Sequence, residues 1–222
     1  MVVESGKASR EQLRRTIRKQ RRQLTLASRN DCARHLARLV CKEPLVMRSR
    51  HIAVYLPADG EIDTNPLITS LYSLGKTLYL PILVTFSDRK LWFTAYAPGD
   101  RLVPNRFGIL EPERTHYRRI RPVFLDLVLT PLVAFDDRGH RLGMGGGYYD
   151  HSFAFLNTRR CWKKPPLMGL AYEFQRLPHI DAQPWDVALD AVATDRRVYH
   201  CRQREVGRDA MHCASWPDDV AG

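Results

Sequence analysis

Long apolar runs are missing from this chain. The longest, Leu127 to Phe135, is broken by Thr130 and Pro131 and falls far short of the roughly 20 residues that a membrane-spanning helix needs. The opening MVVESGKASR has no apolar signal core, so a cytoplasmic, membrane-free protein is expected. Cysteine is scarce: Cys32, Cys41, Cys161, Cys201 and Cys213 form an odd, scattered set with no C-x-x-C pair, which argues against a disulfide framework and a zinc ribbon. What is present is globular. The 222 residues are 44% hydrophobic and 27% charged, enough for one sizeable core.

Acidic residues are scarce at one end only. Residues 1 to 50 carry 14 Lys or Arg against four acids, whereas the other 172 carry 21 against 20, so nearly all of the net charge of +11 sits near the amino terminus. A basic end on a neutral body suits either a polyanion-binding arm or a helix that lends arginines to a phosphate site. From Ser9 to about Ala27 the chain has neither Gly nor Pro and reads as a helix capped by Ser9. On a wheel of 100° per residue with Arg10 at zero, Leu13, Ile17 and Leu24 fall between about 300° and 340°, while Arg10, Arg14 and Arg21 lie within about 40° of zero. That helix packs by a narrow stripe, with Arg10 and Arg14 able to reach inward beside it. A second helix is expected through Cys32, Leu36, Leu39 and Val40, ending before Pro44.

After Arg50 the texture changes to short apolar runs at 51–57, 77–84, 91–96, 125–130, 167–171 and 191–199, which read as strands. Between the first two, Leu67, Ile68, Leu71 and Leu74 keep helical spacing and Gly75 supplies a stop, completing a βαβ unit. The expected fold is a three-layer α/β/α domain over residues 1–199 with a mostly parallel central sheet, followed by a disordered polar tail at 200–222. The run LDLVLT at 125–130 is apolar enough for a central strand buried on both faces, and functional loops in such sheets follow the carboxyl ends of strands.

The segment that follows is rich in glycine: Gly143, Gly145, Gly146 and Gly147 lie within five positions. Such a backbone can adopt positive φ and approach a ligand closely. Helical texture resumes near Tyr148, so the loop is expected to open a helix and form an anion site. The fold is thus Rossmann-like without a GxGxxG fingerprint, because Tyr148 stands where the third glycine belongs; a Walker pattern is also lacking. Arg141 and Asp150 flank the loop as a phosphate partner and a hard oxygen ligand for Mg²⁺. Of Tyr148 and Tyr149, one is expected in the core and the other at the ligand.

RLGMGGGYYD at 141–150 resembles the signature segment of the 5-formyltetrahydrofolate cyclo-ligase family, also called methenyltetrahydrofolate synthetases, and its GMGGG form is similar to bacterial members. The amino-terminal helix with Arg10 and Arg14, ADGEIDT at 58–64 and ALDAVATD at 188–195 follow the family's order and spacing, so the resemblance spans roughly residues 9 to 199.

The resemblance implies an enzyme that uses ATP and Mg²⁺ to turn 5-formyltetrahydrofolate into 5,10-methenyltetrahydrofolate, with release of ADP and phosphate; a monomer is expected. Phosphorylation would activate the formyl oxygen, and the neighbouring folate nitrogen would then close the ring. Catalysis would rest on positioning and charge neutralisation. Carried over by position, Arg10, Glu11, Gln12, Leu13 and Arg14 match the first part of the ATP site. Arg141, Leu142, Gly143, Met144, Gly145, Gly146, Gly147, Tyr148 and Tyr149 match its loop, with Arg14, Arg141 and Tyr148 in catalytic roles. Leu56, Glu61 and residues 144 to 148 match the reduced-folate site, and Asp150 and Asp190 match the magnesium ligands. Many members carry basic residues where Met144 and Gly146 stand, which would shift phosphate charge onto Arg10, Arg14, Arg141 and Mg²⁺. Two rivals are a nucleic-acid-binding domain using the basic helix and an inactive folate or nucleotide sensor.

Overall fold

The computed structural model describes residues 9–83, 90–105, 108–113, 119–158 and 164–201. Helix α1 (Arg10–Gln23) starts at a capping box, in which Ser9 Oγ accepts from the Gln12 N–H and Gln12 Oε1 accepts from the Ser9 N–H. It stops four residues before the expected Ala27. Leu24 is extended, and Thr25 caps a new helix, α2 (Leu26–Val40), by accepting from the Ser28 N–H. Arg29 of α2 donates back to the carbonyls of Arg21 and Arg22, satisfying the end of α1. A short α3 (Pro44–Arg48), which the sequence reading did not anticipate, leads into strand β1 (His51–Ala53).

Helix α4 (Asn65–Ser73) and strand β2 (Thr77–Leu83) complete the expected βαβ unit, and Gly75 at φ +72° makes the turn between them. Next come β3 (Leu91–Tyr96), a hairpin of β4 (Leu102–Pro104) with β5 (Leu110–Pro112), β6 (Arg119–Ile120) and β7 (Leu127–Pro131). A second hairpin, β8 (Ala134–Phe135) with β9 (Arg141–Leu142), precedes helices α5 (Tyr148–Phe153) and α6 (Phe155–Thr158). Strand β10 (Leu167–Ala171) matches its expected bounds. The run expected as one strand at 191–199 is instead two antiparallel strands, β11 (Ala191–Thr194) and β12 (Val198–His200). Thr194 Oγ1 forces that reversal by accepting from the N–H groups of Arg196 and Arg197.

Among the described residues the main sheet has the order β12-β11-β10-β7-β1-β2-β3-β6; the five strands from β11 to β2 are parallel, and antiparallel strands cover both sides. Register keeps each face consistent. Ile52 pairs with Leu78 and Leu127, and all three enter the core under α2 and α4; Ala53 pairs with Tyr79 and Val128, which enter the core under α5 and α6. Apolar side chains on both faces are what a covered parallel strand requires. Helix α1 lies outside these layers, with Leu13 and Ile17 packed on Val133, Ala134 and Leu142 of the β8–β9 hairpin.

The chain leaves β1 toward β2 on one side and returns as β7 on the other, so the connections after β1 and β7 diverge to opposite faces of the sheet. A crevice opens at such a switch point, beyond the carboxyl ends of the strands. The described fold runs past the expected boundary at residue 199: Cys201 is buried and its N–H donates to the Asp190 carbonyl. The rest of the expected tail, 202–222, lies outside the described residues, as do Cys161 and Cys213.

Candidate active site

A cavity of about 590 Å³ occupies this crevice, a volume suited to a single small-molecule ligand. One wall is the turn after β1, with Tyr55, Leu56, Asp59 and Glu61. The opposite wall is the glycine loop from Gly143 to Gly147, continuing into Tyr148, Tyr149 and Asp150. An apolar side is formed by Leu80, Pro81, Leu83 and Leu91 together with Ile109 and Leu110 of the β4–β5 hairpin. That side was missed from sequence, because isolated apolar residues on short strands carry no local signature of a ligand.

Helix α1 reaches the loop because its apolar stripe is seated on the hairpin that leads into it. Arg14 Nε donates to the Gly143 carbonyl at 2.9 Å, and a Cβ on Gly145 would lie 3.7 Å from the Arg14 guanidinium carbon. Gly145 at φ +102° and Gly147 at φ +67° hold a backbone conformation that side-chain-bearing residues rarely adopt. Gly146 has a different constraint, since a Cβ there would lie 2.9 Å from the Tyr148 ring. The loop does open a helix, as expected, but α5 has only six residues, so the anion-binding potential comes from the loop amides and Arg14 more than from a helix dipole.

The remaining residues of the expected nucleotide segment divide by role. Arg10 donates to Asp186 at 2.8 Å and to the Asp181 carbonyl, and it does not line the cavity. Glu11 pairs with Arg14 and Arg15, Gln12 is occupied in the capping box, and Leu13 packs into the core. Arg14 alone of this run therefore touches the loop.

Arg141 is expected as a phosphate cation, but it is buried, and its guanidinium donates to Asp150 Oδ1 and to the Val187 carbonyl, both at 2.5 Å. Its cationic charge is thus already compensated inside the protein. Asp150 accepts a second bond on Oδ1, from the Val187 N–H, and among the described residues no hydrogen bond is made to its Oδ2. Asp190 is separate from this group. It sits at the amino end of β11, accepts from the Leu167 N–H at 2.7 Å and does not line the cavity. The two proposed metal ligands are therefore not brought together, and among the described residues no three His, Cys, Asp or Glu side chains converge as a metal site. Both tyrosines line the cavity while also packing on the core, so the expected division between them does not occur.

Glu61 faces this loop from the other wall. Its Oε2 accepts from the Ala58 N–H, yet burial pushes its carboxyl up to about 7, with Asp59 adding to the rise and the Ala58 bond and Arg21 opposing it. The turn that carries Glu61 is gripped by α1. Asp59, at φ +48°, accepts from both Arg18 and Arg22, and a Cβ on Gly60 would lie 3.3 Å from the Arg21 Cβ. Arg21 lies beside the apolar stripe on the helical wheel, and only tertiary proximity reveals what it, Arg18 and Arg22 meet.

Comparison with known proteins identifies the family. The model of the 5-formyltetrahydrofolate cyclo-ligase family matches residues 6–195. An Escherichia coli K12 protein named 5-formyltetrahydrofolate cyclo-ligase is 40% identical over 184 residues, covering 82% of this chain and 98% of that protein. A Haemophilus influenzae protein of the same name is 37% identical over 183 residues, covering 81% and 94% respectively. The solved structure of Aquifex aeolicus 5,10-methenyltetrahydrofolate synthetase superposes with a TM-score of 0.73 at 28% identity, covering 91% of this chain and 98% of that one. With its glycine loop, its arginine-bearing first helix and its D-G-E turn meeting around one cleft, the chain belongs to the 5-formyltetrahydrofolate cyclo-ligase family.

Proposed function

We propose that this protein converts 5-formyltetrahydrofolate into 5,10-methenyltetrahydrofolate with consumption of ATP in the presence of Mg²⁺, releasing ADP and phosphate. The observation that carries the reading is one cavity lined both by Glu61 and by the glycine loop, which Arg14 contacts at the Gly143 carbonyl. An anion-binding wall thereby faces a hydrogen-bond acceptor suited to a heterocycle's donor edge.

The chain's own residues divide the work. Arg14 and the amides of residues 143–147 neutralise and orient phosphate oxygens. Glu61 accepts from the amino and ring N–H donors of the pteridine, and the Tyr148 and Tyr149 rings with the Leu80, Leu83 and Leu91 wall cover its faces and exclude water. ATP supplies the phosphoryl group that makes the formyl oxygen a competent leaving group, so alignment replaces any protein nucleophile. Asp150 Oδ2 is the available carboxylate oxygen for Mg²⁺, which is commonly held by one or two carboxylates plus substrate phosphates. Arg141 acts one step back, fixing Asp150. Asp190 serves the fold.

The nucleic-acid reading loses its basis at the same arginines. Arg10, Arg14, Arg18, Arg21 and Arg22 are each hydrogen-bonded within the protein, which does not describe a free cationic face. No described helix is long and apolar enough to cross a membrane. The reading takes the enzyme to be a cytoplasmic monomer, which sedimentation of the purified protein tests. Function is tested by incubating the protein with 5-formyltetrahydrofolate, ATP and Mg²⁺ and following the near-ultraviolet absorbance of the methenyl product. ATP-dependent product supports the proposal; its absence at high enzyme concentration rejects turnover in favour of a binding-only sensor.

A further inference from the structure

Arg21 is only 1% exposed, a depth shared among the described charged residues with Asp136, and it is poorly satisfied. One Nη2 donates to the Leu132 carbonyl, while Nε and Nη1 have no partner. That carbonyl does not depend on it, because the Gln175 side chain also donates to Leu132 at 3.0 Å and to Val133 at 2.7 Å. For a purely structural role this is costly: buried guanidinium donors left unpaired destabilise a fold, and apolar replacements at such positions are often neutral or stabilising. The surroundings suggest what the cation does. Its backbone carries the Gly60 turn in van der Waals contact, and the groups within electrostatic reach are Glu61 and Asp59 of that turn, Tyr55 at the end of β1 and Tyr172 at the end of β10. The buried hydroxyls of Tyr55 and Tyr172 also lack partners.

We propose that Arg21 is a positioning residue of the cleft, a buried counter-charge packed against the Asp59–Glu61 turn that favours the carboxylate form of Glu61 facing the donor edge of the pteridine. The proposal rests on the folate reading of the Glu61 wall. Glu61 faces Arg21 from α1, Asp59 from its own turn, Tyr55 from β1 and Tyr149 from α5. Of these, Arg21 alone is cationic, whereas Asp59 and burial both favour the neutral acid. Asp59 is itself neutralised by Arg18 and Arg22, which sharpens the dependence on Arg21.

The test uses the full-length protein with ¹³C-carboxyl-labelled glutamate, the Glu61 resonance being assigned by its loss in Glu61→Gln. In Arg21→Gln the titration midpoint of Glu61 is expected to rise by about one pH unit or more, and Arg21→Lys to return it most of the way, since that variant restores the charge. The KM for 5-formyltetrahydrofolate at neutral pH should rise about tenfold in Arg21→Gln with kcat little changed, and the difference should vanish well above the new midpoint. An unchanged midpoint in Arg21→Gln overturns the proposal. Should that variant not fold, the wild type decides: the Arg21 side-chain nitrogens should shift with the Glu61 midpoint and lose that shift in Glu61→Gln, and silence across the titration overturns the idea equally. The titrations need no turnover, so failure of the folate reading would appear separately, as a wild-type protein with a titrating Glu61 and no methenyl product.

Discussion

The two walls of the cleft use opposite electrostatics. On the glycine-loop side, a run of side-chain-poor backbone borders the cavity and is held by Arg14 at the Gly143 carbonyl. On the Glu61 side a carboxylate is enclosed until burial brings its titration to about 7, so a proton competes with the ligand. One helix serves both. Arg14 reaches the loop, while two turns later Arg21, with Arg18 and Arg22, holds the D-G-E turn. Binding at the first wall should therefore respond mainly to salt and at the second mainly to pH.

The largest expected effect tests how the loop wall is built. Asp150→Ala should lower unfolding free energy by about 3–5 kcal/mol in a denaturant titration, because it strands the buried Arg141 without its counter-charge. Asp150→Asn is accordingly the cleaner probe of Mg²⁺ dependence. Arg14→Ala comes next: loss of one preorganised charged donor should reduce kcat/KM for ATP by about 10²–10³-fold with little change in melting temperature. Near-wild-type kinetics would remove Arg14 from the phosphates.

At the other wall, Glu61→Gln should raise the KM for 5-formyltetrahydrofolate by about 10–100-fold, the worth of a charged hydrogen bond. In the wild type that KM should climb about tenfold per pH unit below about 7, because the free enzyme must release a proton to bind, and Glu61→Gln should flatten the slope. Stability carries the opposite sign. A carboxyl raised from 4.5 to about 7 favours the native state below the unfolded value, and that contribution is lost as pH rises through about 7. Glu61→Gln should remove about 3 kcal/mol of that pH dependence, read from unfolding midpoints across the window. The smallest effect is expected at Arg10, whose guanidinium is committed to Asp186 and the Asp181 carbonyl. Arg10→Ala should change the ATP KM less than roughly threefold, as for a half-exposed ion pair, and a much larger rise would return Arg10 to the phosphate wall.

The elements were readable where one signal dominated. Strand β10 and helix α4 stand where periodicity put them, and the capping pair Ser9 and Gln12 begins α1 as its chemistry suggests. Boundaries failed where a side chain competed with the period. Thr25 ended the first helix short of Ala27 by capping the second, and Thr194 folded one long strand into a hairpin. The site was legible in outline, through the glycine run and the family resemblance, but its pairings were not. Nothing local distinguishes Arg14, which meets the loop, from Arg10, which is bound to Asp186.

The order of residues thus determined what kinds of groups are available: a basic first helix with an apolar stripe, strands apolar on both faces, and a backbone stretch that tolerates positive φ. Those properties follow from local sterics and periodicity, which act over a few residues. Which arginine meets which acid was decided only when α1 docked on the β8–β9 hairpin, because ion pairing and desolvation depend on distance through space between segments 37 to 176 positions apart. The charge state of Glu61 belongs to the same category, since burial is a property of the assembled cleft.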